Sequence, residues 1–250
     1  MAMVIGVYGL GRFGAFWAGC LARRFDVVGW SRDPSRPIPP GVRRAAAEDE
    51  VLGADVVVYC VTISALDGVL ARTAGRLAPG TLVMDTCSVK VHPVRAMEGL
   101  LPAGTRYLAT HPMFGPDSGR NGLDGLPMVL SSHRLGDGEY AFWKDAFAAM
   151  GLRVVEMTPE EHDREAAYTQ GITHFIGRVL GELHLKDSVI ATAGYESLRN
   201  IVLQTCNDPW SLFVDLQKYN PYTVPMRKDL HTALGVMLDE FDSIEVPREG

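Results

Sequence analysis

The 250-residue sequence is poor in the features that mark several classes of protein. It has four cysteines, Cys20, Cys60, Cys87 and Cys206, and no Cys-x-x-Cys pair. That leaves neither a disulfide framework nor a zinc-type spacing, so free thiols in a reducing compartment and no bound metal are expected. There is no basic excess: 24 Lys plus Arg against 30 Asp plus Glu give a formal charge of −6. Such a chain has little with which to neutralise a phosphate backbone, and nucleic-acid binding is not expected. No apolar run reaches membrane-spanning length, and Met1-Ala-Met-Val-Ile-Gly lacks the positive region of a secretory signal. A soluble, cytoplasmic protein with no membrane partner is therefore expected. Internal repeats and low-complexity tracts are missing as well. What the chain has is apolar content, 47% hydrophobic against 22% charged residues, enough to bury a core in one large domain or two modest ones.

The pattern changes once, near residue 156. Before it, short β-branched runs read as strands at Val4–Tyr8, Asp26–Trp30, Asp55–Val61, Thr81–Asp85, Arg106–Thr110, Pro127–Leu130 and Arg153–Glu156. Several lack apolar/polar alternation, as strands covered on both faces do. Helical patterning fills Gly14–Arg24, Ile63–Leu77 and Tyr140–Met150. Alternation of this kind predicts an α/β fold with a doubly wound, mostly parallel sheet. After it, Thr158-Pro-Glu-Glu161 is a capping box with proline at the first helical position. A long helix to about His184 should follow, with others near Asp187–Cys206, Pro209–Lys218 and Pro225–Phe241. The expected division is a dinucleotide-binding domain over 1–156 and an all-α domain over 157–250. So thin a helical layer, with apolar runs such as Ile201-Val-Leu203 and Leu234-Gly-Val-Met-Leu238, should pair with a second copy, making a homodimer.

The first strand runs into Gly9-Leu10-Gly11-Arg12-Phe13-Gly14 and then helix. This is G-x-G-x-x-G where a Rossmann domain carries it: Gly9 for the tight turn, Gly11 for close approach of a pyrophosphate, Gly14 for helix–strand packing. The helix N-terminus supplies free N–H groups to the phosphates. The second strand ends in Trp30-Ser31-Arg32. NAD enzymes place an acidic residue there to hold the ribose 2′-hydroxyl. Serine and arginine instead suit a 2′-phosphate, so NADP is the expected cofactor. Val61 and Thr62, closing the next strand, fall on the same side and complete the expected cofactor set.

Further along, Asp85-Thr-Cys-Ser88-Val-Lys90, Thr110-His111-Pro-Met-Phe-Gly115-Pro-Asp-Ser-Gly119, Glu161-His-Asp163 and Gln170-Gly-Ile-Thr-His174-Phe-Ile-Gly-Arg178 together resemble the prephenate/arogenate dehydrogenases. The resemblance runs from about residue 4 to 235. The plant-type arogenate branch shares His-Pro-Met-Phe-Gly-Pro, the Ser-Gly-x-Asn-Gly that follows, Gly194-Tyr-Glu196 and Tyr219-Asn220. It implies NADP-dependent oxidative decarboxylation of arogenate to tyrosine, or of prephenate to 4-hydroxyphenylpyruvate. His111 would draw the proton from the ring 4-hydroxyl as hydride leaves C4, and Ser88 would hold His111 or that hydroxyl.

Asp163, Gln170, His174 and Arg178, spaced by 7, 4 and 4, fall on one helical stripe. Gln170, His174 and Arg178 are the expected substrate-binding members, and His174 matches the family's Thr-His. Asp117 is the acidic residue best placed for arogenate's ammonium. One departure concerns the arginine that binds substrate carboxylate in many bacterial members: aligned on Asp208-Pro209-Trp210, it falls on Leu203. Arg178, Arg199, Arg227, Lys90 or a partner subunit would have to supply that charge. The competing readings are another NADP oxidoreductase of the β-hydroxyacid or imine-reductase type, and a non-catalytic NADP-sensing protein.

Overall fold

The computed structural model describes residues 3–244; readings that rest on Met1, Ala2 or residues 245–250 lie outside them. The chain divides into two compact units, Met1–Asp163 and Arg164–Gly250.

In the first unit, β1 (Val4–Tyr8), α1 (Arg12–Leu21), β2 (Asp26–Trp30), β3 (Val42–Arg44), α2 (Glu48–Leu52), β4 (Val56–Tyr59) and α3 (Ile63–Thr73) come first. They are followed by β5 (Leu82–Asp85), α4 (Val91–Leu100), β6 (Arg106–Pro112), β7 (Pro127–His133), α5 (Asp137–Ala148) and β8 (Arg153–Glu156). The strands form one sheet in the order β3-β2-β1-β4-β5-β6-β7-β8. Every pairing is parallel except β6 with β7. The unbroken apolar runs of β4 and the first three residues of β5 follow from this, since all their side chains are buried. On α1, Gly14, Trp17, Ala18 and Leu21 turn inward with helical spacing. Trp17 meets Phe114 and Phe147 with ring centroids 5.9 and 6.2 Å apart. The order reverses direction at β1 and β4, so the carboxyl ends of those strands open the crevice where sheets of this kind bind ligands.

Three elements escape the sequence pattern. β3 buries only Val42, and α2 has five residues. α4 carries Pro93, which reads as a breaker but lies in the first turn, where no helical hydrogen bond is lost.

The predicted capping box forms: Thr158 N–H donates to Glu161 Oε2 at 2.8 Å, and Glu161 N–H to Thr158 Oγ1 at 3.2 Å. The helix it starts is not the single long one expected. α6 (Pro159–Ala166) passes into a π turn over Ala167–Gly171 and then α7 (Ile172–Gly181). That wider turn breaks the 3.6-residue phase behind the Asp163–Gln170–His174–Arg178 stripe. The division between units, expected at 156/157, falls after Asp163. The strand signal does end at Glu156, but the Asp163 carboxylate accepts the N–H groups of Lys90 and Val91 at 2.6 and 2.9 Å and belongs to the first unit.

The second unit continues with α8 (Ala193–Cys206), α9 (Trp210–Tyr219) and α10 (Thr223–Ser243). A β-carbon on Gly177 would lie 2.1 Å from Thr205 Oγ1, so this glycine permits the close crossing of α7 and α8. Among the described residues no helix is long and apolar enough to cross a membrane.

Candidate active site

The glycine loop has the shape of a phosphate cradle. Gly9 has φ +106°, and a β-carbon there would strike the Cys60 carbonyl at 2.5 Å; one on Gly14 would strike the Gly9 carbonyl at 1.8 Å. Both glycines are demanded by the protein itself. Gly11 is different, because a β-carbon there would meet nothing within 4 Å. Its bare backbone fits a ligand that approaches closely. The first bond of α1 runs from Ala15 N–H to the Gly11 carbonyl at 2.9 Å, so the N–H groups of Phe13 and Gly14 lie in the first turn, where a helix offers donors to phosphate. Leu10 is buried in the core and Phe13 stacks on Trp17 at 6.5 Å, so these two can serve a nucleotide only through their backbone. Val61 and Thr62 follow β4, and Thr62 is the N-cap of α3, its hydroxyl accepting from Ser64 Oγ at 3.5 Å and making no capping bond to the helix backbone. Past β2, Ser31 Oγ accepts the Asp33 N–H at 3.4 Å, while Arg32 is exposed and takes no partner among the described residues. The residues present fit a dinucleotide.

Next to this crevice lies a buried polar network. β6 and β7 slip register between Leu108 and Thr110, and a bulge of this kind re-aims the side chains beyond it. His111 comes directly after. It is buried, and its Nδ1 lies 2.8 Å from Nε2 of His162. His162 Nδ1 in turn lies 2.8 Å from Asp163 Oδ1. Beneath them the Lys90 ammonium, fully buried, donates to Asp85 Oδ2 and to the Thr110 carbonyl, both at 2.5 Å. Burial, then the neighbouring His162 and Lys90, holds the His111 ring well below the ordinary imidazole range. The ring is therefore neutral at neutral pH.

Two expectations change here. Ser88 does not hold His111: its buried hydroxyl has no partner among the described residues, and His162 occupies the bond in question. Lys90 is no carboxylate anchor, because its three protons face Asp85 and Thr110 inside the core. The Glu161-His162-Asp163 motif carries part of the resemblance, but no role for His162 follows from it. A His-Asp pair one turn into a capped helix was the available signal, hidden by assigning Asp163 to a stripe on the other side of the π turn.

Asp117 is not a bare carboxylate. It pairs with Arg12 of the glycine loop at 2.5 Å, both side chains being partly exposed. The loop that carries it sits tightly on α1, where a β-carbon on Gly119 would lie 2.5 Å from Phe16 Cζ.

In the second unit, Gln170 Oε1, His174 Nδ1 and Arg178 Nε are buried atoms without partners. Burial lowers the His174 pKa. Arg178 donates to the Asp208 carbonyl at 2.6 Å and lies over the rings of Trp210 and Phe213 at 5.5 and 5.7 Å. Arg199 is paired with Asp187 and Glu196, and Arg227 donates to Gln217. Of the second-unit arginines weighed as carboxylate anchors, Arg178 is the one with a buried N–H still unmatched.

The family description "Prephenate dehydrogenase, nucleotide-binding domain" matches residues 27–156, and "TYRAAT1-like, C-terminal domain" matches 179–243. Arogenate dehydrogenase 1, chloroplastic, of Arabidopsis thaliana is 35% identical over 92% of this chain and 38% of its own length. Arogenate dehydrogenase 2, chloroplastic, of the same plant is 36% identical over 93% and 68%. The chain thus spans well under half of the first relative and about two thirds of the second. Among solved structures, prephenate dehydrogenase from A. aeolicus, in complex with hydroxyphenyl propionate and NAD+, shares the fold at a TM-score of 0.73 and 18% identity, over 97% of this chain and 93% of that one. With the nucleotide-binding model covering more than half its length, the chain belongs to the prephenate/arogenate dehydrogenase family.

Proposed function

We propose that this protein catalyses the NADP-dependent oxidative decarboxylation of arogenate, with prephenate the weaker substrate, and that His111 is the base. The observation that carries the reading is the buried His111 at the carboxyl end of β6, its Nδ1 already engaged by His162; burial favours its neutral form. Its other nitrogen is left to accept the proton of a ring hydroxyl. A base of this kind contributes most when neutral at the working pH.

The backbone of Gly9–Gly14 would hold the pyrophosphate, Val61 and Thr62 would flank the dinucleotide, and Ser31 with Arg32 would bind the 2′-phosphate. When bound, the nicotinamide supplies the acceptor for the hydride from ring C4. As the hydroxyl proton passes to His111, the oxygen becomes a carbonyl conjugated with the ring. The bond to the ring carboxylate then breaks, its electron pair enters the ring, and carbon dioxide leaves as the ring becomes aromatic. The unpartnered Ser88 hydroxyl is free to bond the same oxygen. Gln170, His174 and Arg178, with unmatched polar atoms, are the substrate-binding groups, Arg178 meeting a carboxylate. The arogenate preference rests on the likeness to the two Arabidopsis arogenate dehydrogenases. Asp117 supports it less than its position suggested, because an ammonium there competes with Arg12.

Steady-state kinetics on arogenate and prephenate, each with NADP and NAD, test this reading on the wild type and on Arg32→Ala. The expected order puts arogenate with NADP first. Arg32→Ala should weaken NADP by about tenfold or more, the worth of a charge-assisted bond, and leave NAD nearly unchanged. NADP binding without turnover of either acid would make the protein a cofactor sensor, and equal losses for both nucleotides would return Arg32 to the loop.

A further inference from the structure

We propose that His162 and Asp163 are positioning residues that fix His111 in its Nδ1–H tautomer and take over the charge when His111 accepts a proton. The inference rests on the assignment of His111 as base and extends it to two side chains that the reaction does not touch.

The proton positions follow from the backbone. Lys90 N–H and Val91 N–H can only donate, and each points at a different oxygen of Asp163, at 2.6 and 2.9 Å. These amides begin α4, whose N-cap has no side-chain bond of its own, so the carboxylate also sits at the positive end of a helix. With both oxygens accepting, Asp163 Oδ1 must accept from His162 Nδ1 as well, 2.8 Å away. A neutral His162 with hydrogen on Nδ1 has a bare Nε2. That Nε2 lies 2.8 Å from His111 Nδ1, and the bond exists only if His111 donates. The outward nitrogen, Nε2 of His111, is then a lone pair. Two rigid amides thus set, through three side chains, which nitrogen of the base is open.

The chain also conducts. When a hydroxyl proton binds Nε2 of His111, the Nδ1 proton can pass to Nε2 of His162. His162 then carries both N–H groups and one positive charge, in contact with the Asp163 carboxylate. Apart from the substrate O–H bond that gives up its proton, only N–H bonds are made or broken, and the charge is balanced where it stops. The remaining charged groups, Asp85 and Lys90 on the β5–α4 side, are paired with each other and leave Asp163 as the carboxylate in contact with His162. A proton that enters from water in the absence of substrate has the opposite consequence: with His162 doubly protonated, His111 must accept at Nδ1 and carry hydrogen on Nε2, which closes the base.

The test is the tautomer itself. In the free protein labelled with ¹⁵N-histidine, at pH above 7, His111 should show a protonated Nδ1 and a bare Nε2. His162→Phe, which removes the acceptor, should move His111 toward the Nε2–H form. It should lower kcat by roughly 10²-fold, the lower end of what general base catalysis supplies, with KM and NADP affinity little changed. The acid limb of kcat should move as well, because the protonated base no longer reaches the carboxylate through His162. Protonated Nε2 in the wild type overturns the proposal, and so does a His162→Phe protein with wild-type kcat and pH profile. The spectrum requires no substrate: a bare Nε2 in a protein that turns over neither acid refutes the proposed function and leaves the relay standing, whereas protonated Nε2 in an active enzyme does the reverse.

Discussion

The two units differ in how they treat buried ionisable groups. In the first, the buried charges have partners: Lys90 meets Asp85, and Asp163 takes two backbone amides and His162, while the unmatched atoms of Ser88, Ser131 and Trp143 belong to uncharged side chains. In the second, buried polar atoms of Gln170, His174 and Arg178 have none among the described residues. Large apolar side chains there also face outward, among them Leu203, Leu234, Leu238 and Phe241, each more than half exposed. A satisfied network fixes geometry without help from a ligand. Unmatched polar atoms and an exposed apolar face are what a surface shows when its complement is another molecule. The first unit carries a buried network whose charges are matched internally, and the second a surface with polar and apolar groups left to be covered.

That contrast can be broken at its strongest point. Lys90→Met leaves the buried Asp85 carboxylate with the Cys87 and Thr110 amides but no counter-charge, and breaking a buried ion pair by removing one partner costs about 3–5 kcal/mol. Denaturant unfolding should show a loss of that size, and a loss below about 1 kcal/mol would mean that the network adapts and is not the rigid frame described. The second prediction is smaller in energy and belongs to the helical unit. We propose that its exposed face pairs with a second copy. Leu234, Leu238 and Phe241 fall on one side of α10 by spacing, so light scattering should give the mass of two chains at micromolar concentration, and Leu238→Asp should shift it toward one. A monomeric wild type would leave that face to a different partner.

How far the sequence could be read follows the same division. The sheet strands and the glycine loop were legible because burial on both faces and a ligand-facing turn each leave a local imprint, as in Val56–Tyr59 and Gly9–Gly14. β3, α2 and α4 left none: two are too short for a period, and Pro93 disguised the third. The helical unit was legible as helix but not in phase, since a π turn of five residues carries no composition signal and yet separates Asp163 from Gln170. The place of His111 at a strand end could be read from the sequence. Its contact with His162 could not, because 51 residues separate them and only the fold brings the rings together. For Asp117 the loop was legible but not the pairing of its carboxylate with Arg12, 105 residues away in the sequence.

The central claim is that the first unit holds the base. Kinetics of His111→Asn, with NADP binding measured on the same protein, test it most directly. The account predicts a fall in kcat of about 10²–10⁴, the usual contribution of general base catalysis, at nearly unchanged NADP affinity. A variant that binds NADP normally and keeps most of its kcat would contradict it.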